Sequence, residues 1–135
     1  MSDETPTDAQ SQWLYAYRKQ GEYPAETERS GKWLVFLSAQ TVNEYWSRVQ
    51  AAVEQGQLGE AAKVSTNKNT SPRAGAKPGR FVICVYTYDY EDEADVMRIR
   101  QALRELGVKY PIIYKPDEET RQGHYGHDYT PKYRA

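Results

Sequence analysis

Between Arg80 and Gly107 the hydrophobic period of this chain changes from that of a strand to that of a helix, and no other feature restricts the fold as much. Phe81–Val85 is a run of β-forming residues, after which Val96, Ile99, Leu103 and Leu106 recur at helical spacing. A strand that feeds directly into an amphipathic helix buries both apolar faces most economically by laying the helix back on the sheet. The connecting stretch, "YTYDYEDE", puts Tyr86 and Tyr88 on the strand face of Cys84, with Thr87 and Asp89 on the other. Tyrosines there offer a stacking surface with a hydroxyl, and Asp89 an acceptor for an amino group. The plainer reading is that Tyr86 closes the core while Asp89 or Asp92 caps the helix, whose first turn favours acids.

The remaining elements follow by the same reasoning. "KWLVFLS" predicts a central strand, and Val42, Tyr45, Trp46, Val49 and Val53 predict a helical face capped by Thr41 and stopped at Gly56. Trp33, Tyr45 and Trp46 are assigned to the core. "DAQSQWLYAYRKQG" predicts a short helix, with Asp8 as its cap and Trp13, Leu14 and Tyr17 on its apolar side. "GEAAKVSTNK" predicts a weaker strand, with Lys63 and Ser65 sharing a face, and "YPIIYK" a last one. The order is helix, strand, helix, strand, strand, helix, strand. It predicts an α+β fold: a curved, mostly antiparallel sheet with helices packed on one face and a concave face left for a ligand. Residues 1–8 read as a disordered lead, 9–127 as a single domain with a mobile loop at 69–79, and 128–135 as a flexible tail.

Composition narrows the functional classes. The net charge of −1 does not indicate a nucleic-acid binder, so any anion site is local. The single cysteine, Cys84, has no second thiol for a disulfide or a metal site. No stretch approaches the roughly 20 apolar residues of a membrane span, and the N-terminal "MSDETPTDAQ" lacks an apolar signal core. These features predict a cytoplasmic protein that needs no cofactor. His124 and His127 have metal-ligand spacing only on a helix, which Gly123 and Gly126 argue against, so no metal site is expected.

The element order and its motifs resemble a known fold. "GKWLVFL", a helix carrying "EYW", "AAKVSTNK", "FVICVYT", a helix ending "ALRELG" and "PIIYK" follow in the order of the translation initiation factor 4E fold. A closer similarity, over roughly residues 13–127, is to the basophilic-leukaemia-expressed (Bles) proteins and their bacterial relatives, carried by "VICVYTYDYEDEADVMRIRQALRELG" and "YKPDEETRQGHY". In the cap-binding factor two tryptophans sandwich a methylated guanine, an acid reads its edge and basic residues hold the phosphates. Here the matching loop offers Tyr23 beside Glu22 and Glu26, and no second tryptophan. Lys68 stands roughly where a phosphate-contacting arginine would, and Lys109 near a second basic position. The resemblance therefore implies an anion site rather than cap recognition. Some bacterial members are labelled phosphothreonine lyases, which implies β-elimination of phosphate.

Two function classes result. The first is a binding module for a phosphorylated small molecule or peptide, such as a nucleotide or phosphopeptide. Its ligand-binding candidates are Lys63, Lys68, Arg80, Lys115 and Arg121, with Tyr23, Tyr86, Tyr88 and Tyr125 as stacking surfaces. Arg73 and Lys77, in the basic stretch "NTSPRAGAKPG", complete the basic set. The second is a lyase in which Lys63 or Lys115 is the base and His124 the acid for the leaving phosphate, with Arg73, Arg80 or Arg121 as the clamp. A protein partner on the helical face is a further alternative. The plainer reading of the cations is a solvated sheet margin, and that of the tail a disordered polar end.

Overall fold

The computed structural model describes residues 4–69, 79–118 and 131–135. In chain order the elements are β1 (Trp13–Tyr17), β2 (Gly31–Ser38), α1 (Val42–Glu54), β3 (Ala61–Ser65), β4 (Arg80–Thr87), α2 (Glu93–Glu105), β5 (Ile113–Pro116) and β6 (Tyr133–Arg134). The strands form one six-stranded sheet in the order β1-β3-β4-β2-β5-β6, antiparallel at every step.

Alternation along the strands divides the sheet cleanly. Trp33, Val35 and Leu37 of β2, with Phe81, Ile83 and Val85 of β4, pack under Trp46, Val49 and Val53 of α1 and Val96, Ile99 and Leu103 of α2. Both helices therefore lie on one face, and the Trp33 indole donates across to the Val96 carbonyl at 3.1 Å. Leu34, Val82 and Cys84 belong to the far face, where Trp13, Phe36, Tyr86 and Ile113 pack around them. Asp92 caps α2 by accepting from the Asp95 amide, whereas Thr41 stands at the start of α1 without a side-chain cap bond. No described helix is long and apolar enough to cross a membrane.

Three expectations are corrected. The segment predicted as the first helix is β1, paired with β3 from Trp13↔Ser65 to Tyr17↔Ala61, and Asp8 bridges Thr5 instead of capping anything. "WLYAY" satisfies both periods, and the ladder offered by β3 decides between them, since strand preference is set by neighbours. The lead expected to be disordered through residue 8 is tied down from Thr5 onward. Thr7 exchanges bonds with Asn43, the Asn67 amide donates to the Pro6 carbonyl, and Ala9 is buried. The tail expected to be flexible over 128–135 supplies β6. There Tyr133 packs edge-on against Tyr114 and donates its hydroxyl to the Tyr90 carbonyl. Tyrosine bodies supplied the apolar mass that a search for aliphatic residues passes over.

Candidate functional site

Register places three lysines on the far face. Lys32 stands opposite Tyr86 on one side and Lys115 on the other, while Lys63 stands opposite Cys84. All three act electrostatically on the buried Cys84 thiol. Burial pushes that thiol up, and Lys32, Lys63 and Lys115 pull the other way. Lys32 is nearly buried and pairs with Asp117 at 2.5 Å, a carboxylate that also accepts from the Ser30 hydroxyl at 2.7 Å. Lys63 lies against the Trp13 ring, 3.9 Å from its centre, and Lys32 is 5.7 Å from the centre of the Tyr86 ring.

Beside these lysines is a pocket of about 590 Å³ at the β1-β3-β4 end of the sheet. Its floor is built by alternation: Tyr15 and Tyr17 from β1, Ala61 and Lys63 from β3, and Tyr86 from β4. Tyr23, Pro24 and Glu26 close one side from the connection before β2, and Tyr88 closes another. Two walls are held rigidly. The Tyr23 hydroxyl donates to Asp95 at 2.6 Å and accepts from the Tyr88 amide at 3.2 Å, while the Tyr88 hydroxyl donates to Asp92. Burial, and then the bond to Asp95, raises the pKa of Tyr23 above the ordinary phenol value. The Asp92 bond pushes Tyr88 up to about 12, and burial raises Tyr86. All three are neutral phenols across the physiological range.

The structure brings Tyr23, Tyr86, Tyr88 and Lys63 into one pocket, with Lys115 on the same face. Arg80 is apart from them. It begins β4, lies 4.0 Å over the Phe36 ring, and lines a second cavity of about 310 Å³ with Tyr110 and Ile113. Lys68 is exposed in the turn after β3, at the end of the strand away from the pocket. Arg73, Lys77, Arg121, His124 and Tyr125 lie outside the described residues. Sequence reasoning passed over Lys32, Tyr15 and Tyr17. The last two follow at once when "WLYAY" is read at period two, and Lys32 was hidden beside Trp33 in an apolar run. Trp13, assigned to a helix face, supports Lys63 from the edge of the sheet.

The surroundings of Cys84 predict an inert thiol. Iodoacetamide should alkylate the native protein at least about 100-fold more slowly than an exposed cysteine, since the thiolate is disfavoured and access needs local opening. Labelling read by mass spectrometry should reach the ordinary rate in denaturing urea. Fast labelling of the native protein would mean that the far face opens readily.

Several solved structures share this architecture. The C. elegans factor eIF4E-3, in complex with the 4E-binding protein Mextli and a cap analog, aligns with TM-score 0.61 and 19% identity over 91% of this chain and 68% of that one. The Ascaris suum eIF4E-3 with m7G cap gives 0.59 and 19% over 90% and 67%. A schistosome eIF4E complexed with m7GpppA and 4E-BP gives 0.60 and 18% over 82% of this chain, which spans 61% of that factor. At such identities the likeness establishes the eIF4E-like α+β fold. The sequence itself is matched over residues 5–121 by the family described as basophilic leukemia-expressed protein Bles03. That match covers most of the chain, which therefore belongs to the Bles03 family.

Proposed function

We propose that this chain is a non-catalytic binding module for a phosphorylated ligand, of the nucleotide or phosphopeptide class, held on the sheet face away from the helices. The observation that carries the reading is the sharing of one face by Lys32, Lys63 and Lys115 beside a tyrosine-lined pocket. Phosphate recognition needs converging donors, and ammonium groups from β2, β3 and β5 on one side of the sheet supply them without a dedicated loop. Strands also hold such groups more precisely than loops do. Solved eIF4E-like structures complexed with cap nucleotides support the use of this fold for phosphorylated ligands.

The test is an NMR titration with inorganic phosphate, mononucleotides and a phosphothreonine peptide at low and moderate salt. Saturable shifts on Tyr86, Lys63 and their neighbours are expected, weakening as salt screens the contact. Lys63→Ala should weaken binding about tenfold, or about 1.4 kcal/mol. Silence with every phosphorylated probe at low salt would overturn the reading. Loss of phosphoric acid from the peptide, followed by mass, would favour elimination chemistry over simple binding.

A further inference from the structure

The pocket has a chemistry of its own that phosphate does not use. Five tyrosines line it, and Glu26 and Glu60 stand at its rim, both exposed. Aromatic faces carry negative potential and attract cations, most strongly when the cation is weakly hydrated. Tyr23 illustrates this already, with the Arg18 guanidinium 5.1 Å from its ring centre.

Ring geometry decides what shape of group fits. Tyr23 and Tyr88 meet at 88° with centroids 5.5 Å apart, so they form a corner rather than a slot. Tyr15 and Tyr17 are parallel but only 6.1 Å apart. A flat ring between them would need two van der Waals gaps of about 3.5 Å each. A corner of ring faces with carboxylates at its rim suits a rounded, weakly hydrated cation better than a planar base. We propose that the tyrosine pocket takes a methylated or quaternary ammonium group, so that the ligand is a zwitterion whose phosphate lies toward Lys32, Lys63 and Lys115. The phosphate half rests on the function proposed above, while the ammonium half stands on the pocket alone. Phosphocholine is the simplest molecule with both charges at short separation.

The experiment is calorimetric titration of the full chain with tetramethylammonium, inorganic phosphate, phosphocholine and AMP. Phosphocholine should bind at least tenfold more tightly than either half. The double variant Glu26→Gln, Glu60→Gln should weaken phosphocholine and tetramethylammonium about tenfold and leave inorganic phosphate unchanged. Lys63→Ala should do the reverse, weakening inorganic phosphate about tenfold and sparing tetramethylammonium. Phosphate binding with phosphocholine no better, or AMP clearly better than phosphocholine, overturns the ammonium site and leaves the phosphate reading standing. Tetramethylammonium binding without phosphate keeps the ammonium site and removes the phosphate reading, and silence with all four removes both. Co-sedimentation with phosphatidylcholine vesicles would assign the ligand to a lipid headgroup. Binding of free phosphocholine alone would assign it to a soluble ester.

Discussion

Replacing Arg100 with alanine is expected to lower the stability of the fold by about 3–5 kcal/mol, from buried carbonyls left without a donor and the cavity of a lost large side chain. The guanidinium is completely buried, although it sits on a helix whose other basic residues reach solvent. Its Nε donates to the Ala135 main-chain oxygen at 3.0 Å, Nη1 to the Val108 carbonyl at 3.0 Å and Nη2 to the Tyr110 carbonyl at 2.9 Å. Burial depresses its pKa from the ordinary arginine value, yet a guanidinium stays charged, so the three bonds are charge-assisted. They tie α2 to the chain entering β5 and to the segment carrying β6. Ile112 completes the tie by exchanging backbone bonds with Ala135 at 2.8 and 3.0 Å. Alanine would leave three carbonyls without that donor and open a cavity the size of the lost side chain. Because Tyr110 is at the surface, water can reach one carbonyl, and the cost stays below the sum of three orphaned groups. Urea unfolding should register the loss, with a fall in melting temperature of roughly 10–15 °C. Arg100→Lys should recover only part of it, since an ammonium cannot reproduce a planar fork. A loss under about 1 kcal/mol for alanine would mean that these bonds do not hold the segment.

Arg100 also marks where sequence reasoning runs out. The stripe Val96, Ile99, Leu103 was legible because helical periodicity is local, and all three are buried. Nothing in the pattern marks Arg100 as buried, because its partners arrive from residues 108–110 and from 135. The same boundary explains β1. Trp13, Leu14 and Tyr17 fit a helical side, while Trp13, Tyr15 and Tyr17 fit a strand face, and the tie is broken only by a partner some 50 residues away. Central β2 and β4 carried no such ambiguity, being apolar runs too short for helices.

The candidate site was legible in the same proportion. Parity along β3 and β5 was enough to name Lys63 and Lys115 as facing one way. Which cations meet is a matter of register, however, and register joins Lys63 to Cys84 and Lys32 to Tyr86 while leaving Arg80 at the opposite end of β4. Tyr15 and Tyr17 could not be seen as pocket walls while β1 was read as a helix.

Gly31→Ala is expected to cost about 3 kcal/mol, the upper end for overpacking a well-filled core, although glycine-to-alanine changes usually stabilise where the backbone permits them. Gly31 has no positive φ, so its conformation suits alanine. What excludes a methyl is Tyr114: an added Cβ would lie 2.4 Å from both the Cε1 and the hydroxyl of that ring. The ring has nowhere to go. Tyr114 is completely buried, packed edge-on against Trp33 at 5.5 Å and Tyr133 at 5.6 Å, and its hydroxyl bonds Thr87 at 2.5 Å. Gly31 in turn is fixed between Thr87 of β4 and Pro116 of β5, so the strand cannot drift aside. The strain must then spread to its neighbours Ser30 and Lys32, both bonded to Asp117 beside the proposed phosphate site. Two readouts follow from that. In a Tyr114→Leu background, which trims the clashing atoms, the same substitution should cost at least about 1 kcal/mol less, a coupling that distant sites do not show. In the otherwise native protein, Gly31→Ala should also weaken inorganic phosphate binding, because Lys32 moves with its strand. Strict additivity of the two substitutions would sink the steric account, and unchanged phosphate affinity would separate Lys32 from the site.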